Sequence, residues 1–215
     1  MNEPAIRMEE QIISLFPDRE TLVCQGWMLK KMESLLLVYP LYYKFSQGDI
    51  PENIRRCEKI SRQYRAECVF RIVEHTNYYL SSILTDNGYG VEKWGMVGEW
   101  NLAGNIGELC MKEKMQGRLL LKKRNSGTEC VMVGEKVIGI KRQELLFLPD
   151  GNLPDIGMED ILRFSVANGI VRILADISGK EELPERYEQT GFCRAYSYRC
   201  YQKKSEVKSS ENMED

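Results

Sequence analysis

A single histidine, His75, is all the chain offers of the residue most used for acid–base and metal chemistry. No H-E-x-x-H occurs, a histidine-based triad would have to rest on His75 alone, and neither G-x-S-x-G nor a catalytic-cysteine signature accompanies it. His75 therefore reads as a surface or strand-end residue. The seven cysteines are odd in number and irregularly spaced, with no C-x-x-C, so they form neither a disulfide framework nor a tetrahedral zinc site. They read as buried thiols acting as small apolar groups. No G-x-x-x-x-G-K-[ST] loop is present, and no G-x-G-x-x-G follows a strand. Long hydrophobic runs are missing too. The longest, Leu35 to Tyr43, has nine residues and contains Pro40, against the roughly 20 that a bilayer span needs. Charge of one sign is also lacking: 30 basic against 32 acidic residues leave −2. That balance argues against a protein that coats nucleic acid or anionic membrane. The first ten residues are charged and have no apolar h-region, so no secretory signal is expected. The expectation is a cytoplasmic protein with no metal, no membrane partner and no nucleic-acid partner.

What is present is the composition of a chain that buries a core, with 43% apolar and 29% charged residues over 215 positions. Ile6, Glu9, Ile12, Ile13 and Phe16 recur at near-helical spacing and predict a helix from Pro4 to Phe16. Gly26–Met32 and Leu35–Tyr43 are β-prone runs separated by Glu33-Ser34, which predicts a hairpin. A helix follows at Glu52–Arg65 with Ile54, Cys57, Ile60 and Tyr64 on one face, then a strand at Cys68–Val73. A second helix at Asn77–Asn87 stops at Gly88, and Val91–Trp100 is the next strand. Asn101–Gln116 reads as a connection. Arg118–Lys123, Glu129–Ile140 and Glu144–Leu148 predict an antiparallel meander. After a loop from Pro149 to Ile156, a helix begins near Gly157 and ends at Asn168-Gly169. Ile170–Ile177 is almost purely apolar, as in a strand covered on both faces. A short helix at Leu183–Thr190 and a strand at Phe192–Tyr201 complete the pattern, and the polar tail to Asp215 reads as disordered.

Leu80–Tyr89 and Arg186–Phe192 share one grammar, a helix ended by glycine and followed by an aromatic and a strand. With the helix–strand order around each, this predicts two related lobes, residues 1–105 and 106–202, followed by a tail at 203–215. The fold class is α/β, more closely an α+β mixed sheet, mostly antiparallel and flanked by helices.

Glu185-Arg186-Tyr187-Glu188-Gln189-Thr190-Gly191-Phe192, followed by Tyr196-Ser197-Tyr198-Arg199, resembles the closing motif of GNAT-superfamily N-acetyltransferases. The N-terminal half resembles the front lobe of a two-lobed bacterial group of that family. There Gly26-Trp27-Met28-Leu29-Lys30 stands for a Gly-Trp-x-Leu-Arg strand, and Ile54–Tyr64, Phe70-Arg71-Ile72 and Leu80–Tyr89 follow in the family's order. The resemblance covers residues 20 to 202.

That resemblance implies acyl transfer from acetyl-CoA to an amine, carried by a small molecule or a peptide. It implies that Glu144–Leu148 splays from Ile170–Ile177 and that the pantetheine arm pairs with backbone near Leu146 and Leu148. The pyrophosphate would rest on the loop Asn152, Leu153, Pro154, Asp155 and Ile156 and on the helix start at Gly157 and Met158. Tyr187 takes the place of the tyrosine that protonates the leaving thiolate, and Glu144 is the candidate base. The loop departs from the family's Gln/Arg-x-x-Gly-x-Gly/Ala core. Asn152 stands for the basic or amide residue and Asp155 for the first glycine, only Gly157 is kept, no Lys or Arg lies between Asp150 and Asp160, and Asp150, Asp155, Glu159 and Asp160 surround the phosphate place. Two readings follow. The leading one is an N-acetyltransferase using acetyl-CoA as co-substrate. The other is a catalytically inactive GNAT-fold binding or interaction module that has lost CoA binding. Leu35-Leu36-Leu37-Val38 reads as a buried central strand, and an unpaired edge there would instead allow a homodimer.

Overall fold

The computed structural model describes residues 3–16, 19–41, 49–74, 78–102, 119–124, 127–151 and 156–203. His75, most of the predicted connection at 101–116 and the tail from 204 lie outside the described residues. The elements, in order, are α1 (Glu3–Ser14), β1 (Thr21–Cys24), β2 (Trp27–Lys31), β3 (Leu35–Tyr39), α2 (Ile50–Gln63), β4 (Glu67–Val73), α3 (Tyr78–Asp86) and β5 (Tyr89–Asn101). Then come β6 (Leu119–Lys123), β7 (Glu129–Val133), β8 (Lys136–Arg142), β9 (Leu145–Leu148), α4 (Met158–Ala167), β10 (Arg172–Ser178), α5 (Glu185–Glu188) and β11 (Cys193–Lys203).

Three predicted boundaries are corrected. The single strand expected over 129–140 is two, because Gly134 turns the chain at φ +56° and lets β7 and β8 pair antiparallel. Thr21–Cys24 forms an additional edge strand paired with β2. The last strand runs on to Lys203, where Gln202 and Lys203 still face Gly90 and Tyr89, so the chain is ordered past the start of the expected tail.

All eleven strands form one sheet, in the order β1-β2-β3-β4-β11-β5-β10-β9-β8-β7-β6. Neighbours are antiparallel except for β3 with β4 and β9 with β10. These two parallel pairs match: Leu35–Val38 faces Glu67–Phe70, and Leu145–Leu148 faces Arg172–Ala175. Each is joined by a helix, α2 or α4, as a parallel crossover requires. The halves then exchange their last strands. β5, from the first half, pairs with β10, while β11, from the second, pairs with β4, and β5 and β11 pair with each other at the centre.

Residues directly opposite in adjacent strands share a face. The row Ile72–Arg199–Trp94 therefore puts α2, α3, α4 and α5 on the same side of the sheet. Under α2 and α3 lie Trp27, Leu36, Phe70 and Ile72, packed with Leu84 of α3. Under α4 and α5 lie Met96, Trp100, Leu148, Ile173 and Ile177, packed with Tyr187 of α5. The opposite face is covered at its centre by α1, whose Ala5, Ile12 and Leu15 pack on Val69, Val97, Leu174 and Tyr198. Burying a side chain of this size contributes about 1.5–3 kcal/mol, so α1 fastens residues of both halves together.

Candidate functional site

The structure differs from the expected splay between the fourth and fifth strands of the second half. β9 and β10 stay paired through Leu148 and Ala175. Beyond the strand end, the Gly151 N–H donates to Asp176 O at 2.7 Å and so continues the contact by one more rung. The approach is close enough to demand glycine: a Cβ there would lie 2.8 Å from Ile177 Cγ1 and 2.9 Å from both Asp176 O and Tyr187 Oη. Leu146 lies between Lys141 of β8 and Ile173 of β10, and both Leu146 and Leu148 are fully buried.

Tyr187 closes the same place from above. It is fully buried against Phe192, ring centroids 5.0 Å apart and edge to face. Its hydroxyl donates to the carbonyl of Gly151, which also accepts from Arg186 Nη2 at 3.0 Å. Burial pushes the phenol up to about 12, while the neighbouring Arg186 pulls the other way. The hydroxyl is protonated at neutral pH, but its proton is committed to a backbone carbonyl.

Glu144 is not part of this arrangement. It is exposed in the turn before β9, with its backbone carbonyl accepting from Val171 and Arg172. Tyr187 meets Gly151 beyond the other end of β9, and a four-residue strand at about 3.3 Å per residue separates the two by more than 10 Å. Glu144 and Tyr187, expected as base and acid, thus stand at opposite ends of β9. Asn152, Leu153, Pro154 and Asp155 lie outside the described residues. Ile156 is half-buried against the core, and Met158 is buried in it. Gly157 caps α4, its carbonyl accepting from Asp160 and Ile161, and Glu159 and Asp160 occupy the first turn. Acids suit the positive end of a helix, but they oppose a phosphate in the same position. At the end of β9 the Gly151 N–H and the Tyr187 hydroxyl are thus both committed within the protein.

Two polar arrangements stand elsewhere, one on each face of the central strands. Under α1, Arg71 of β4 bonds Glu9 of α1 at 2.8 Å and Asp176 of β10 at 3.1 Å, and its guanidinium lies 3.4 Å over the Tyr198 ring. Tyr198 donates to the second Asp176 oxygen. Burial alone would lower the Arg71 pKa, but Glu9 and Asp176 together hold it well above its ordinary value. Its signal in the sequence is a charge inside an apolar stretch: Glu9 on the apolar face of α1, Arg71 in β4, Asp176 in β10.

On the other face, the helix pairs leave β5 and β11 open between them. Val91 and Trp94 line this opening, within a run of four exposed residues, Val91–Trp94, in a central strand. Trp94 is 45% exposed, whereas Trp27 and Trp100 are fully buried, so of the three tryptophans only Trp94 is available to a groove. The groove has a volume of about 610 Å³ and runs from Glu74, after β4, to Lys180–Glu182, after β10. Among the described residues, no group of His, Cys, Asp and Glu could hold a metal ion, and no helix is long and apolar enough to cross a membrane.

No family profile and no curated protein matches the chain. Solved structures do. A GCN5-related N-acetyltransferase from Kribbella flavida matches with a TM-score of 0.55 at 10% identity, over 93% of this chain and 95% of that one. A second, from Sphaerobacter thermophilus, matches at 0.50 and 8% identity, over 82% and 76%. A functionally unknown conserved protein from Staphylococcus epidermidis matches at 0.52 and 9% identity, over 88% and 96%. At these identities the likeness shows the fold: the chain has the mixed, mostly antiparallel sheet and flanking helices of the GCN5-related N-acetyltransferases.

Proposed function

We propose that the chain is a GNAT-fold binding protein in which the gap between β9 and β10 no longer takes acetyl-CoA, and that its ligand site is the groove over β5 and β11. The observation that carries this reading is Gly151. Its N–H is bonded to β10, its carbonyl takes the Tyr187 hydroxyl, and not even a methyl group fits beside it. A thioester carbonyl would need a free backbone donor at that point, and the Gly151 N–H is spent within the protein. The acidic first turn of α4 supports the same reading.

Acetyl transfer to an amine is the alternative, favoured by the presence of Tyr187 in the family's closing motif and by its protonated hydroxyl. Calorimetry with acetyl-CoA separates the two. The binding reading expects no saturable heat at millimolar acetyl-CoA. Saturable binding together with release of free CoA in the presence of an amine refutes it.

A further inference from the structure

The groove has room for a ligand of ordinary size: about 610 Å³ lies within the roughly 300–1,000 Å³ of small-molecule sites. Its floor is apolar at Trp94 and Val91, 45% and 41% exposed in a central strand whose other positions are largely covered. Its rim carries charges of both signs, and their commitments differ. Arg199 and Glu74 neutralise each other at 2.7 Å. Arg194 is spent on the Glu181 carbonyl and the Ser197 hydroxyl. Lys180 and the carboxylates of Glu181 and Glu182 have no ion-pair or hydrogen-bond partner among the described residues, and all three line the groove. A purely cationic ligand would bring like charge to Lys180, and a purely anionic one would meet two carboxylates. A molecule with both charges and an apolar body satisfies all of them.

We propose that this groove binds a small zwitterion of the amino-acid class, a free amino acid or short peptide. Its ammonium faces Glu181 and Glu182, its carboxylate faces Lys180, and its apolar side chain lies on Trp94. The ammonium also gains from the face of the indole. This assignment rests on the reading above in taking the groove, rather than the β9–β10 gap, as the ligand site.

The test uses the full chain and three probes: the dipeptide leucyl-phenylalanine, its N-acetyl form and its C-terminal amide. Binding is followed by calorimetry and by tryptophan emission, which Trp94 alone among the three tryptophans is exposed to report. The dipeptide is expected to shift the emission, and each blocked form to bind roughly tenfold more weakly, the loss of one charged contact. The double variant Glu181→Gln, Glu182→Gln is expected to weaken the dipeptide and the amide but not the N-acetyl form, which has no ammonium to lose. Trp94→Phe removes the emission change while calorimetry still reads binding. No binding at millimolar dipeptide, equal affinity for all three probes, or an unaffected double variant overturns the assignment. Acetylated dipeptide formed when acetyl-CoA is added would refute the non-transfer reading and leave the groove assignment standing.

Discussion

Tyr187 shows how little a motif residue reveals without its surroundings. Its position in the closing motif is legible from Glu185 to Phe192, and its phenol is protonated as expected. What the motif does not disclose is the carbonyl that takes the proton, since Gly151 lies 36 residues away in sequence. The residue acts here as a staple on the β9 end. Tyr187→Phe is expected to lower stability by about 0.5–1.5 kcal/mol, the net worth of a hydrogen bond, with Arg186 still serving the Gly151 carbonyl. The effect depends on pH in a fixed direction. With the folded phenol near 12 and an unfolded one near 10, the stabilisation is complete below about pH 10 and fades as pH rises toward 12. Urea unfolding of both proteins across that range checks it: the difference between them should shrink as pH rises.

At the scale of elements, helical periodicity and apolar alternation make most of the pattern legible. α2 shows its inner face through Ile54 and Cys57, and β10 declares itself as a run buried on both sides. β1 escapes because it is four residues at the sheet edge, none of them fully buried, so no alternation marks it. The β7–β8 turn escapes because Gly134-Glu135 interrupts an apolar run that would otherwise continue. The attachment of α1 is half legible. Its apolar stripe is plain, but the reason for Glu9 on that stripe lies in Arg71 and Asp176, 62 residues and more away. Because Arg71 and Glu9 are buried and Asp176 is mostly so, removing the cation leaves two carboxylates uncompensated. Arg71→Met is expected to cost about 3–5 kcal/mol in urea unfolding, far beyond the loss from an exposed pair such as Arg55–Glu52.

For the whole molecule, strand exchange is the feature that local patterning could not disclose. The predicted echo between Leu80–Tyr89 and Arg186–Phe192 corresponds to two strands, β5 and β11, that each complete the sheet beside the other half's parallel pair. Which strand a terminal segment chooses is a non-local question, and the spacing of apolar residues is the same either way. The exchange has two consequences. It brings Arg71 and Asp176, 105 residues apart, together on one face, and it leaves Trp94 and its neighbours open on the other. It also puts the groove proposed as the ligand site at the seam between the two halves. The balanced net charge follows the same division: acids crowd the first turn of α4, while both signs meet around the seam.

The Gly151 amide tests this account most directly. Its hydrogen exchange, measured residue by residue with and without millimolar acetyl-CoA, reports whether the β9–β10 gap is shut. The account predicts slow exchange, in the same class as the paired amides of β10, and no change on adding acetyl-CoA. Fast exchange that becomes slow when acetyl-CoA is added would contradict it.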